Sequence, residues 1–139
     1  MKSLQQKIAG LEVLVSAHLG GASVTLRPIA GAVPVIEIVI GGREELPVFI
    51  TASESQILCI CYLWTEAEIV PARRIELLEL MLDLNMSVPL SSFGRVDDRY
   101  VVFGALAQDA RVEDIAKDVA ALSDNALDAL DALAEYLQD

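Results

Sequence analysis

The apolar residues near the N-terminus recur every three or four positions, the spacing of one helix face. They are Leu4, Ile8, Leu11, and Leu14 or Val15. Ser3 followed by Gln6 has the form of a capping box, and the pair Gly20-Gly21 is typical of a helix end. The pattern therefore predicts a first helix from Ser3 to the glycine pair.

Between this helix and Thr65 the spacing changes to the alternation of β-strands. The predicted strands cover residues 23–27, 33–40, 46–51 and 56–64, with a turn at 28–31. In the second strand Ile36, Ile38 and Ile40 share one face. The fourth strand is apolar on both faces, so we expect helices to cover one face and another surface to cover the other.

In the second half, Glu66 and Glu68 before Pro71 indicate a helix start, and the helix is predicted to reach about Asn85. The predicted elements that follow are a hairpin of residues 90–95 and 99–106, turning at Asp97-Asp98, and a helix over 111–137. The order is α-β-β-β(β)-α-β-β-α. It predicts one α+β domain over residues 1–139, an antiparallel sheet with helices packed on one face.

The last helix divides into an apolar sector and an opposite acidic sector. Its acidic face includes Asp124, Asp128, Asp131 and Glu135. Two interpretations stay open: a core-packing helix with a solvated acidic back, or a helix whose acidic face engages a basic partner. A break at residues 123–125 would change both faces.

The chain has 139 residues, 54% of them hydrophobic, and a formal charge of −11. So high an apolar content excludes disorder, and the negative charge disfavours nucleic acid as a partner. Residues 109–139 hold nine acids and two bases, so they carry −7 of the total. The longest uncharged apolar run, residues 55–65, is too short for a membrane helix. We expect a soluble, cytoplasmic chain that is not membrane-embedded.

Candidate chemistry is sparse. Cys59 and Cys61 lie two apart on a predicted strand and share a face, where core packing, a redox role or a metal are the alternatives. His18 is the only histidine and ends the first helix, so a Cys–His pair has no local motif behind it. Asp97-Asp98 fits turn chemistry better than a carboxylate pair. We predict no catalytic, cofactor-binding or metal site.

Apolar surface in excess of one core's demand favours an interaction surface instead. The interface candidates are Leu63, Trp64, Leu78, Met81, Leu82 and Phe93. Trp64 lies at a strand end and is either a core residue or an interface anchor. The second helix and the strand 56–64 are the predicted interface.

Three stretches resemble the YjfI-like family of uncharacterised bacterial proteins: 77–85 (LLELMLDLN), 88–94 (VPLSSFG) and 100–106 (YVVFGAL). The resemblance supplies no catalytic residues. It implies an envelope-stress partner, because family members tend to be encoded near a PspA-like protein. More distantly, element order, size and a pI near 4.4 resemble type III secretion chaperones and YbjN-like proteins. Those are small acidic homodimers that hold a partner's unfolded segment.

Together these observations predict a non-catalytic, chaperone-like protein-interaction module of the bacterial cytoplasm, acting as a homodimer with a second protein partner. The alternative is a small-molecule or lipid-binding regulatory domain that uses the sheet as a pocket wall. An enzyme acting through Cys59 or Cys61 with His18 is a distant third.

Overall fold

The computed structural model describes residues 3–139, in which six antiparallel strands form one sheet. The helices are α1 (Leu4–Lys7), α2 (Leu11–His18), α3 (Arg74–Leu84) and α4 (Val112–Ala132). The strands are β1 (Val24–Ile29), β2 (Val35–Ile40), β3 (Val48–Ala52), β4 (Gln56–Thr65), β5 (Ser92–Val96) and β6 (Arg99–Ala107). Short 3-10 turns lie at Glu66–Glu68, Pro71–Arg73 and Ala134–Tyr136. The α+β prediction is confirmed.

The strand order is β1-β2-β3-β4-β6-β5, so β1 and β5 are the edges. All helices pack on one face of this sheet, as predicted. On that face α4 crosses β4 and β6, and α2 lies against α4 and β1. The main core between these layers includes Ile38, Ile40, Cys59, Leu122 and Val15, all fully buried. Alternation along the strands, together with the apolar sector of α4, explains this core.

A second core lies at the β5 end of the sheet, where α3 packs. Its buried members are Trp64, Ile69, Leu77, Met81, Tyr100 and Leu133. The pairing of β4 with β6 shifts by one residue between Tyr62 and Trp64. This irregularity brings Trp64 to the face that Cys61 occupies, because each residue slip reverses the side-chain direction.

The first predicted helix is in fact two. Ser3 and Gln6 form the predicted capping box, but Gly10 adopts a left-handed φ of 84° and separates α1 from α2. Glycine takes this conformation without the steric cost that a Cβ would bring. His18 ends α2 and is exposed.

Other boundaries also differ from the prediction, among them the starts of β2, β3 and β5, which each lie two residues later than predicted. The turn predicted to begin at residue 28 begins later, because β1 continues through Pro28 to Ile29. An edge strand such as β1 tolerates proline. Residues Glu66–Glu68 form a separate turn capped by Thr65, so α3 begins only at Arg74. The last helix ends at Ala132 rather than at 137.

The other face of the sheet is the open face, which no helix of the described chain covers. It is formed by the alternate residues of the strands, because direct cross-strand partners share a face. In the central strands these are Phe49, Leu58, Ile60, Tyr62, Val101 and Phe103. None of the six belongs to either buried core. As expected, β4 is apolar on both faces and helices cover one of them. That another surface covers the second face stays a prediction.

Candidate protein-binding surfaces

An apolar groove of about 300 Å³ lies between α3 and β5. It brings together four of the six interface candidates, namely Leu78, Met81, Leu82 and Phe93. Arg74, Arg95 and Tyr100 also contribute to its wall. Leu82 is 69% exposed, whereas Met81 reaches the groove from the second core and is 5% exposed. The groove therefore has a buried floor and an exposed apolar rim.

The rim continues along the outer side of α3. Ile75, Leu78 and Leu82 follow one another on α3 at intervals of three or four residues, so they form one stripe, and Met86, in the turn directly after α3, extends the same spacing. Ile75 is 69% and Met86 is 92% exposed. Leu90, in the loop before β5, is also exposed and adopts a φ of 63°, which is rare for a branched residue. We call the stripe with Leu90 and Phe93 the α3–β5 surface.

The edge strand β5 presents backbone groups beside this surface. The N–H of Phe93 donates to Oδ1 of Asn85 at 2.7 Å, across the gap to the end of α3. Backbone groups alternate in direction along a strand, so the backbone N–H and C=O groups of Phe93 and Arg95 both point away from β6. Asn85 therefore occupies the N–H of Phe93, and a strand added at this edge would pair with the outward backbone groups of Arg95.

Glu66 connects the parts of this region. Its carboxylate accepts two hydrogen bonds from Arg74, at 2.8 and 3.1 Å, and one from Tyr100 Oη at 2.8 Å. Arg95 approaches the same carboxylate at 3.2 Å. The hydrogen bonds from Arg74 and then Tyr100 lower the pKa of Glu66. The cluster holds α3 against β5 and β6, and no motif in the sequence indicates it.

Trp64 is not a surface anchor. It is 3% exposed, stacks on Tyr100 with ring centroids 6.3 Å apart, and belongs to the second core. Its indole N–H is buried without an acceptor among the described residues. Leu63, at the strand irregularity, is half-buried and touches both cores. Of the two roles predicted for Trp64, the structure therefore supports core packing.

The acidic face of α4 is continuous, and the proposed break at residues 123–125 does not occur. Ser123 is buried and accepts from Arg43 at 3.0 Å, while Asn125 donates to Pro89 O and to Ser91 Oγ at 2.9 Å. These polar side chains tie α4 to two loops.

Two of the four predicted acids are also paired. Asp124 accepts from Arg43 at 2.7 Å. Glu135 accepts from Arg73 at 3.1 Å, but its predicted place on the last helix is wrong, because it lies in the turn Ala134–Tyr136 after α4 ends. Asp128 and Asp131 are exposed on the outer side of α4. The acidic sector is therefore a solvated face that is partly neutralised by neighbouring arginines.

The two cysteines are buried on the helix-covered face, as core thiols. Burial raises the pKa of Cys61 to about 12 and that of Cys59 still further, with a smaller contribution from the nearby Asp118. Thiols with raised pKa values are poor nucleophiles at neutral pH. In residues 3–139 no cluster of three or more His, Cys, Asp or Glu side chains is arranged to hold a metal ion.

Asp118 was not predicted to be buried. It is 6% exposed, inside the apolar sector of α4, and burial raises its pKa to about 6. A Cβ at Gly104 would collide with its carboxylate, so Gly104 provides the space for it. The sequence does carry a signal, since Asp118 lies three residues after Ile115 and four before Leu122.

No helix in the described part of the chain is long and apolar enough to cross a membrane.

Comparison with known proteins yields one family and a fold. The chain is similar to a chain of a solved structure titled "Crystal Structure of the ExsC-ExsE Complex", with a TM-score of 0.50 and 12% sequence identity over 95% of this chain and 97% of that one. At this identity the likeness concerns the fold alone. No curated protein matches. A family model described as "Uncharacterized protein conserved in bacteria (DUF2170)" matches residues 5–137. The chain belongs to the DUF2170 family of uncharacterized bacterial proteins.

Proposed function

We propose that this protein is a non-catalytic, chaperone-like protein-binding module that forms a homodimer through the α3–β5 surface. The observation that carries the proposal is the exposed apolar stripe of α3. Isolated exposed apolar residues are common, but a contiguous stripe beside an open strand edge is typical of an interface. Burying it against a second copy removes apolar area from water on both chains.

The charges near the stripe are compatible with a second copy. Arg74 and Arg95 line the groove, whereas Glu79 and Asp83 are acidic residues of α3 itself. In a two-fold dimer each patch meets its own equivalent, and because Arg74 and Arg95 already pair with Glu66, the apolar stripe is the main area that this contact would bury. The α3–β5 surface thus carries charges of both signs, unlike the strongly acidic outer side of α4.

The similar solved structure comes from a complex of ExsC with ExsE, which supports a role in binding another protein. The resemblance to the YjfI-like family adds a PspA-like protein, and with it envelope stress, as the specific candidate. Location in the bacterial cytoplasm is part of the same proposal. Direct binding between the purified chain and a PspA-like protein would test that candidate.

Light scattering tests the dimer. The 15.0 kDa chain should show about twice that mass, and Leu82→Asp should return it to the mass of one chain, because a buried interfacial carboxylate is costly. Val13→Asp is the matched control, since Val13 is 70% exposed on α2. A parent chain that is monomeric at micromolar concentration, or a Leu82→Asp variant that keeps the dimer mass, would contradict the proposal.

The groove also gives the alternative function a physical basis. Its apolar wall and the guanidinium groups of Arg74 and Arg95 suit an amphipathic carboxylate. Laurate, used as a probe in a thermal shift assay, should then stabilise the parent chain, and Arg74→Gln should abolish the shift. Laurate that leaves the melting temperature unchanged would argue against a lipid site.

A further inference from the structure

The open face of the sheet forms an apolar band across its three central strands. Ile60 pairs directly with Phe49 on one side and with Phe103 on the other, and Tyr62 pairs with Val101. Val101 is almost fully buried although it belongs to neither core. Its neighbours on the open face therefore already pack against one another and form a continuous surface.

A cavity of about 360 Å³ lies at one end of this band. The rings of Phe49 and Tyr62 line it in an edge-to-face arrangement, with centroids 5.7 Å apart. The guanidinium of Arg99 lies over the Tyr62 ring, 3.8 Å from its centroid. Trp64 also lines the cavity, and its indole N–H is the buried donor that lacks an acceptor in the described chain.

The charged residues of the cavity are two acids and one base. Glu45 and Glu68 are exposed, and Glu68 Oε1 accepts from the backbone and hydroxyl of Thr65. Glu45 makes no ion pair within residues 3–139, and Arg99 is engaged with Tyr62. The cavity thus combines aromatic walls with an excess of negative charge, which suits the apolar stem and cationic head of Lys or Arg.

We propose that the open face binds an extended segment of a partner protein whose sheet-facing side chains are apolar and end in one basic residue. Alternate side chains of an extended segment point to opposite sides, so the basic residue must lie on the apolar side of the segment. Its apolar side chains contact the band, and a basic side chain enters the cavity between Glu45 and Glu68. A second copy is a poor occupant, because the chain carries −11 and six of its arginines are already in ion pairs. The inference deepens the proposed function and rests on it, since it identifies the chemistry of the second partner.

A labelled synthetic peptide of alternating valine and serine, with lysine in place of its last valine, is the probe, and its counterpart with glutamate at that position is the control. Fluorescence anisotropy at physiological salt should show binding of the first peptide only. Glu45→Lys should weaken that binding at least about tenfold, because it places like charges together. Asp128→Lys makes the same change of net charge on the outer side of α4 and should weaken it less than about threefold, because screening limits distant charges.

Equal binding of both peptides, or equal weakening by Glu45→Lys and Asp128→Lys, would overturn the assignment of this site. Light scattering on the same samples separates the two proposals. A chain of dimer mass that binds neither peptide refutes the open-face site and leaves the dimer standing. A monomeric chain that binds the lysine peptide through Glu45 refutes the dimer and supports the site.

Discussion

The helices α3 and α4 lie on the same face of one sheet but differ in what their outer sides present. α4 is apolar toward the sheet and acidic toward solvent, where Asp128 and Asp131 are exposed. α3 is apolar on both sides: Leu77 and Met81 are buried in the second core, while Ile75 and Leu82 are each 69% exposed. The outer side of α4 is solvated, whereas the outer side of α3 exposes apolar area, on which the proposed interface rests.

The comparison separates apolar residues that stabilise the fold of the single chain from those that the proposed homodimer would bury. An inward residue such as Leu122 contributes to the free energy of unfolding of the single chain. An outward one such as Leu82 contributes little to this free energy, and in the proposed homodimer it contributes to association instead. Substitutions of the same chemistry on the two helices should separate these roles.

Leu122→Ala should produce the largest loss of stability. Leu122 is fully buried on α4, and truncating a buried leucine costs about 2–5 kcal/mol through lost burial and the remaining cavity. Leu82→Ala on α3 is the matched change and should alter monomer unfolding by less than about 0.5 kcal/mol. Urea denaturation, followed at protein concentrations low enough to populate the monomer, measures both. Similar costs at the two positions would remove the distinction between the helices.

Asp118→Asn tests the one charged residue in the buried sector of α4. The pKa of Asp118 is raised from its ordinary 3.8 to about 6 in the folded chain, so the folded state binds this proton more tightly than the unfolded state does. The free energy of unfolding should therefore fall as the pH rises from about 4 to about 6, and it should stay lower above pH 6. A shift of about two pK units corresponds to about 3 kcal/mol.

The stability of Asp118→Asn relative to the parent should consequently increase between pH 4 and pH 7, by up to about 3 kcal/mol. Comparing the two chains at each pH removes the contribution of the other carboxylates. Urea denaturation at both values measures the gap. A gap that stays constant with pH would show that Asp118 is not a buried carboxyl of raised pKa, and that the sector of α4 is looser than described.

Arg43→Ala should cost less stability than Leu122→Ala and less than the effect of pH on Asp118. Arg43 binds Asp124, which is half-exposed on the polar side of α4, and also donates to Ser123. Exposed ion pairs contribute about 0.2–1 kcal/mol, and the loss should diminish at high salt. Thermal unfolding at low and high salt checks this. A loss of several kcal/mol would mean that the acidic side of α4 is structural rather than merely solvated.

Much of the fold could be predicted because it follows from local periodicity. The isoleucines of β2, the hairpin turn at Asp97-Asp98 and the faces of α4 all follow from spacing within one element. The break at Gly10 could not, since a glycine inside a helical pattern is compatible with both a continuous and a broken helix. The start of α3 also differs from its predicted position, because a capped turn such as Glu66–Glu68 resembles a helix start in sequence.

The candidate site was only partly predictable for a different reason. Leu78, Leu82 and Phe93 were identified from their apolar character alone. The buried position of Trp64 depends on a one-residue shift in the pairing of β4 with β6. The hydrophobic pattern within one strand does not predict such a shift. The cluster around Glu66 joins residues far apart in the chain, so only the folded structure reveals it.

Oxidation of Met86 by hydrogen peroxide tests most directly whether the outer stripe of α3 is covered. Met86 is 92% exposed in the single chain. Met81, which is buried on the inner side of α3, is the internal control. The dimer predicts that Met86 is protected in the parent chain and oxidises rapidly in Leu82→Asp, with Met81 slow in both. Rapid oxidation of Met86 in the parent, at the same rate as in Leu82→Asp, would contradict the homodimer.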